Sequence, residues 1–581
     1  MSGKKIIVFF LVAIMIMTTL LAGCGSQNVS NDVPKGTEES SSGSNSEGES
    51  TADEDTPKMD EKQYLNLLGY EPKILDSGRS STDTSWDAFG PIIQGLTRVE
   101  GTTEGIDNIK PGMAKKWEHN EDGTEWTFYL RDAKWSDGVP VTAHDFEFSI
   151  KRLLNPETGS PYSWLLLPVI KGADEFNSGK AGPEAVGVKA IDEKTLKFEL
   201  VGPTPYFLQL TYFPVLKPIR EDIIEKYGEA YGTEADKIVC NGPFILEEWQ
   251  HRSKLVYKKN PDYWDAENVY IEEMVWHHME ETNARMQALL IGDIDSARVV
   301  EKEWKEKFDA TGDFNYISKK GADVGYHMFN CKDKYFKNAK VRKAFSAAID
   351  RDAYVRDITK GTALPGWFYV PDSLMIGEEN YQDKVGNPQY VKKLFDEVKD
   401  PKTLLIEGLK ELGEDPDPAK MEVSMMFRGT DENTKKTGEW YQQQFKEKLG
   451  VNLKIDLLKY NIAYDKQEKD EYQIFDTGWF ADYNDPSNFL DFWHSQEGYY
   501  NIGWQNEEFD NIIKEAQATL DNERRAELFK RAEEILVYED CIIAPYDHGQ
   551  TSTYRRKYVK ELYNPLFGQQ DFIGVYISGR K

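Results

Sequence analysis

Apolar positions recur along this 581-residue chain with two different periods. In "TEWTFYLRDAKW", Trp126, Phe128 and Leu130 fall on every second residue, and "KTLKFEL" repeats this with Leu196, Phe198 and Leu200. That period puts one row of side chains on one face of a strand. In "DNERRAELFKRAEEILVYED" the spacing lengthens. Leu528, Phe529, Ala532, Ile535 and Leu536 form a stripe opposite Glu527, Lys530, Arg531 and Glu534, which predicts an amphipathic helix. A further helix is expected through "VRKAFSAAIDRDAYVRDI". Turn signals such as "NEDGTE", "SDGVP" and "NPDYW" separate the elements. Strands and helices alternate throughout, so the expected fold class is α/β.

One stretch, "EYQIFDTGWFADYNDP", combines both signals. Its aromatic and β-branched start predicts a strand. Asp485-Pro486 ahead of "SNFLDFW" reads as an N-cap followed by proline at the first helical position. Asp482 then stands at the C-terminal end of a buried strand, with no basic residue in the seven positions on either side. A buried carboxylate without a partner is costly. Its partner has to come from a distant part of the fold, from water or from a ligand.

The N-terminal region reads differently. Lys4-Lys5 precedes an uncharged apolar run, Ile6 to Leu21, which ends in "LAGC". This is the pattern of a secretory signal peptide over residues 1–23. Cys24 directly after "LAG" resembles a bacterial lipobox, whose thiol is diacylated; the expected location is the outer face of the cell membrane. Residues 24–62 are then rich in Ser and Gly and almost free of aliphatic side chains. From Gly25 to Lys62 ten acids face three lysines, a net −7, which predicts a disordered tether. The remaining length exceeds one core and suits two or three lobes.

Charge excludes one class of partner. The whole chain carries −29; without the +2 of Lys4 and Lys5 and the −7 of the tether, −24 remains. Nucleic-acid binding needs stripes of Lys and Arg, and none is expected here. Cys240, Cys331 and Cys541 are odd in number and lack metal-like spacing, so at most one disulfide can form. His277-His278 is the only adjacent histidine pair and reads as a surface or strand-edge pair rather than a metal site. No nucleophile elbow, phosphate loop or dinucleotide fingerprint is present. Asp482 and Asp485 admit a surface glycoside hydrolase or a peptidase as the enzymatic alternative. No motif demands catalysis, cofactor or metal.

The ordered blocks carry a resemblance. "EPKILDSG", "GLTR", "PGMAKKWE", "WTFYLRDAKWSDGVPVTAHDFEFSIKRLLNPETGSPYS", "GVKAIDEKTLKFELVGPTPYFL", "NGPFILEEW", "KKNPDYWDAENV", "NAKVRKAFSAAIDRD" and "GWFADYNDP" follow one another along the chain. Together they resemble the extracellular solute-binding proteins of family 5, the oligopeptide/dipeptide receptors of ABC importers. The resemblance implies a two-lobed periplasmic-binding-protein-like clamp of type II with an extra inserted subdomain. Lobe I would comprise 63–95, 218–321 and 541–581, the inserted subdomain 96–217, and lobe II 322–540.

It also implies roles. Asp482 would bind the α-ammonium of a peptide, with Trp479, Gly478 and Ala481 beside the ligand's main chain. Tyr162 would approach the ligand, and Tyr460 and Asn501 would line the cleft. Positions where the family holds cations for the peptide's C-terminus read here as Asp476, Gln467 and Thr434, which favours longer peptides or a ligand without a carboxylate. The implied protein is a monomer that delivers peptides to permease subunits. A peptide-pheromone or signalling receptor on the same fold is the alternative.

Overall fold

A computed structural model describes residues 58–101, 107–495 and 498–580. The expected signal segment, Cys24 and the expected tether up to residue 57 lie outside the described residues. Described structure begins earlier than Gln63. The backbone N–H of Asp60 donates to Ile577, and its carboxylate accepts from the N–H groups of Gly579 and Arg580, both at 2.8 Å. Three bonds to the C-terminal segment thus fix a stretch that its composition assigned to the tether.

The first lobe is built on a four-stranded sheet ordered Tyr64–Gly69, Glu273–His278, Lys254–Lys259, Phe244–Gln250. His277 and His278 therefore end an interior strand rather than an edge, and His277 Nε2 lies 3.1 Å from Asn66 Oδ1. The inserted subdomain has its own antiparallel sheet, ordered Ala114–His119, Glu125–Leu130, Thr195–Glu199, Val188–Asp192. Trp126 pairs with Phe198 and Phe128 with Leu196, so the two rows read from the period-two pattern meet on one face. The Ala143–Leu154 helix covers that sheet with Phe146 and Ile150. One continuous apolar core runs through lobe and subdomain.

The second lobe centres on a seven-stranded mixed sheet. Its order is Ser296–Arg298, Ile543–Arg556, Phe314–Phe329, Ile474–Phe480, Val423–Arg428, Leu453–Leu458, with Ala363–Pro365 beside Ile543–Arg556. Separate cores lie on its two faces, one containing Tyr326, Met426 and Phe475, the other Phe329, Met425 and Phe427. This split follows from side-chain alternation along each strand.

Two of these strands cross between lobes. Phe314–Phe329 and Ile543–Arg556 run antiparallel, and their register breaks between Lys320 and Val324. Beyond the break, Val324–Met328 pair with residues from His548 back to Ile543 inside the second lobe's sheet. A second shift follows between Gly325 and Tyr326, and such breaks in a ladder are where two lobes can rotate.

Several local readings change. The single helix expected across Val341–Ile358 is two, Ala339–Ala347 and Arg351–Asp357, because the Asp350 side chain accepts from Ala353 N–H at 3.0 Å and caps a new start. The Asn522–Glu534 helix forms as its stripe predicts, but it also buries Arg525 and Glu533. Cys240, Cys331 and Cys541 are all free and buried. Burial pushes the Cys240 thiol up to about 12 and Cys331 to about 11, so neither is a thiolate at neutral pH.

Candidate ligand site between the lobes

The Ile474–Phe480 strand has unequal neighbours. Its antiparallel partner, Asp323–Phe329, follows it from end to end, whereas the parallel Val423–Arg428 strand pairs only with Ile474–Asp476. Thr477 to Phe480 therefore present a strand edge with no strand beside it among the described residues. Such an edge accepts an extended chain as an added strand. Phe480 is 41% exposed there.

Asp482 lies two residues beyond. Its position is set by Asn488, whose Oδ1 accepts from Asp482 N–H at 3.1 Å and from Trp479 Nε1–H at 2.8 Å. The Trp479 ring also meets Phe492 edge-on at 4.5 Å, and buried Ala481 donates its N–H to Ala322. These contacts hold the strand end rigidly.

The side chain of Asp482 is poorly satisfied. Tyr162 reaches it from the inserted subdomain, donating its hydroxyl to Oδ1 at 3.4 Å. Trp86 braces Tyr162 edge-on at 4.8 Å. Oδ2 is buried with no hydrogen-bond partner, and no lysine or arginine among the described residues pairs with this carboxylate. Burial pushes Asp482 up to about 7; Tyr162 and Asn488 oppose that rise, and the charge of Asp83 adds to it. Asp83 opens the Asp83–Phe89 helix on the first lobe. Asp87 follows one turn later, and both acids are exposed on that helix. Acids thus converge from both sides, and the space between them favours a cation.

Asp485 is different. Its Oδ1 accepts from Ser487 N–H at 3.0 Å, but the N-cap of the short Ser487–Leu490 helix is Pro486, not Asp485, so the expected cap shifts by one residue and proline stands outside the helix. Both its oxygens also pair with Arg525, at 2.7 and 2.9 Å, in a fully buried ion pair. Of the two nearby acids, only Asp482 is left without a cation.

Comparison with known proteins identifies the lineage. The model of bacterial extracellular solute-binding proteins, family 5, matches residues 108–501. The chain belongs to this family. It is 32% identical over 576 residues to the oligopeptide-binding protein OppA of Bacillus subtilis, covering 97% of this chain and 98% of that one. It is 29% identical to the periplasmic oligopeptide-binding protein OppA of Salmonella typhimurium, covering 84% and 87%. Among solved structures, the unliganded open form of the periplasmic murein tripeptide binding protein MppA superposes with a TM-score of 0.73 at 27% identity, covering 89% of this chain and 98% of that one. Listeria monocytogenes OppA bound to peptide gives 0.67 at 27% identity, covering 90% and 100%. The protein is accordingly a two-lobed binding protein and not an enzyme.

In this family 5 protein, Asp482, Trp479, Ala481, Gly478 and Tyr162 share one neighbourhood. A Cβ on Gly478 would stand 2.9 Å from the Val324 carbonyl, so glycine here also admits the adjacent strand. Tyr460 and Asn501 are set apart. Tyr460, 41% exposed, opens the Tyr460–Glu468 helix and packs on Tyr464 at 4.8 Å. Asn501 is exposed and follows Tyr499, whose ring lies 6.5 Å from Trp479. No contact joins either to Asp482 among the described residues. Asp476 lies on the site strand, Gln467 in the Tyr460–Glu468 helix, and Thr434 donates its hydroxyl to Asp431 at 2.6 Å. Asn488 and Asp83 gave no sequence signal, because their importance comes from what the fold places opposite them.

Proposed function

We propose that this chain is the lipid-anchored receptor of a peptide importer, capturing oligopeptides by their free amino terminus and passing them to an ABC permease. The observation that carries this reading is the Asp482 carboxylate, which lies between lobes with one oxygen unanswered by any cation among the described residues. A peptide's α-ammonium supplies the missing charge. The open edge at Thr477–Phe480 supplies main-chain bonds that are indifferent to sequence, which suits a carrier of many peptides. The names of the relatives, oligopeptide-binding proteins in Bacillus subtilis and Salmonella typhimurium, point the same way. Cys24, expected to carry two acyl chains, would hold the receptor at the outer membrane face, since one chain alone binds weakly.

Titration calorimetry with an alanine pentapeptide and its N-acetylated form tests the anchor. Losing one partner of a buried charge pair costs ~3–5 kcal/mol, and ~1.4 kcal/mol is tenfold in affinity. The acetylated peptide, and the free peptide against Asp482→Ala, should therefore bind about a hundredfold more weakly or worse. Equal binding of the two peptide forms would overturn the role of Asp482. Release of Cys24→Ser protein into the medium would report the loss of the anchor.

A further inference from the structure

Three aspartates on adjacent strands face a floor made of two glycines. Gly325 and Gly478 are direct cross-strand partners. Asp547 is the partner of Gly325 on its other side, and its carboxylate, together with the edge of the Tyr546 ring, occupies the space that a Gly325 Cβ would take. Asp323 stands two residues before Gly325, and Asp476 two residues before Gly478. Alternation and pairing put all five on the same face of the sheet. All five remain partly open to solvent.

No lysine or arginine among the described residues pairs with any of the three. Arg351 is fully buried nearby but is committed to the carbonyls of Ser346, Ile349 and Pro545. Arg298 acts on Asp323 only from a distance. His327, the cross-strand partner of Asp476, is fully buried, and its two ring nitrogens have no hydrogen-bond partner. Its Nε2 points at Asp476 Oδ1, 3.5 Å away, and that oxygen is also unpartnered. Among the described residues no group of three such side chains is arranged to hold a metal ion. Burial lifts Asp323 to about 6, while burial followed by the charges of Asp323 and Asp476 raises Asp547 further. The charge of Arg428 also acts on Asp476, but its guanidinium donates to the Tyr464 hydroxyl at 2.6 Å and not to a carboxylate. Three carboxylates are thus brought together with no ion pair to a lysine or arginine among the described residues.

We infer that this trough receives the cationic side chain of a lysine or arginine in the bound peptide, at the residue lying opposite Gly478. The inference rests on the peptide-receptor reading above and deepens it. A peptide added along Thr477–Phe480 alternates its side chains between the two sheet faces. The residue opposite Gly478 sends its side chain over Gly478 towards Gly325 and Asp547. Strands are about 4.8 Å apart, so the Asp547 carboxylate, leaning over Gly325, lies about two spacings from the peptide's backbone. A lysine or arginine reaches roughly 6–7 Å, and a hydrogen bond of about 2.8 Å completes the span. Among the described residues no side chain stands over Gly478, so the path is clear up to the Asp547 carboxylate and the Tyr546 ring edge beside it. Short side chains fall short and acidic ones are repelled.

The test titrates the full chain, purified in detergent, with alanine pentapeptides carrying one lysine, norleucine or glutamate at each position in turn. At one position lysine should bind about tenfold tighter than norleucine, which matches its length without its charge, with glutamate the weakest. In Asp547→Asn and in Asp476→Asn the lysine-to-norleucine ratio should fall towards one. Asp323→Asn is a third variant of the same shape, and each should unfold no earlier than the wild type because mutual repulsion is relieved. A ratio near one at every position, or a preference that persists in all three variants, would overturn the inference and leave the peptide receptor standing. Failure of the whole peptide set to bind the wild type would instead overturn the receptor reading and this inference together. Binding of spermidine in place of the peptides would show that the trough serves free amines and would likewise reject it.

Discussion

Asp482 is a carboxylate held in conflict with its surroundings, and that conflict has measurable consequences. In the free protein it is half protonated at about pH 7 because burial disfavours its charge. A bound ammonium needs the ionised form, so binding below pH 7 must first expel a proton. Affinity should then fall about tenfold per pH unit below 7. Above about pH 8 the peptide's own α-amino group loses its proton, and affinity falls again. Calorimetry across pH 5 to 9 should give an optimum between these limits, and Asp482→Asn should lose the acid limb. Stability moves the opposite way. A folded-state value above the unfolded carboxylate's makes the folded protein bind protons more tightly, so stability is lost as pH rises from about 4 to about 7. Unliganded Asp482→Asn should therefore unfold at a higher temperature than the wild type at pH 8, with the difference vanishing near pH 4.

Single elements show how a hydrophobic stripe describes a helix incompletely. The Asn522–Glu534 helix packs through Leu528, Phe529 and Ala532 as its period predicts. Arg525 and Glu533 lie on the same buried side, each matched to a distant group. Glu533 Oε1 accepts from the N–H groups of Tyr369 and Val370 at 2.6 and 3.1 Å. Arg525 neutralises Asp485 and donates to the Ala516 carbonyl. This helix thereby fixes the turn that carries Asp482, since Asp485 also accepts from Ser487 N–H at the start of the Ser487–Leu490 helix. Arg525→Ala would strand a buried carboxylate and should cost ~3–5 kcal/mol in urea denaturation. The exposed face should tolerate change: Arg524→Ala, which removes a surface pair with Glu515, is expected to cost less than ~1 kcal/mol.

At the scale of the molecule, two crossing strands and a few contacts between lobes govern closure. Tyr162 bonds Asp482, and Tyr206 stacks on Tyr483 with ring centroids 4.2 Å apart, so the inserted subdomain touches the second lobe at the proposed ligand site. A ligand held there bridges both bodies. Peptide at a hundred times its dissociation constant should stabilise the protein by ~2.7 kcal/mol. Small-angle scattering should show the radius of gyration falling as peptide is added to the wild type, and no change with Asp482→Ala at the same concentration.

Periodicity alone determined the α/β class, the Trp126–Phe128–Leu130 and Leu196–Phe198–Leu200 rows and the helix at Asn522–Glu534, because burial of one face imposes its spacing locally. The ordered motifs, ending in "GWFADYNDP", also marked Asp482 and the family. Other features depended on positions far apart in the chain. The split at Asp350 turned on a cap that competes with a continuous apolar stripe. The pairing of Asp485 with Arg525 joins residues 40 apart, and Tyr162 meets Asp482 across 320. The register that gathers Asp323, Asp476 and Asp547 over two glycines is likewise invisible in the sequence. Charge neutralisation and strand pairing are set by distance in space, and only the folded chain decides which acids find a cation and which do not.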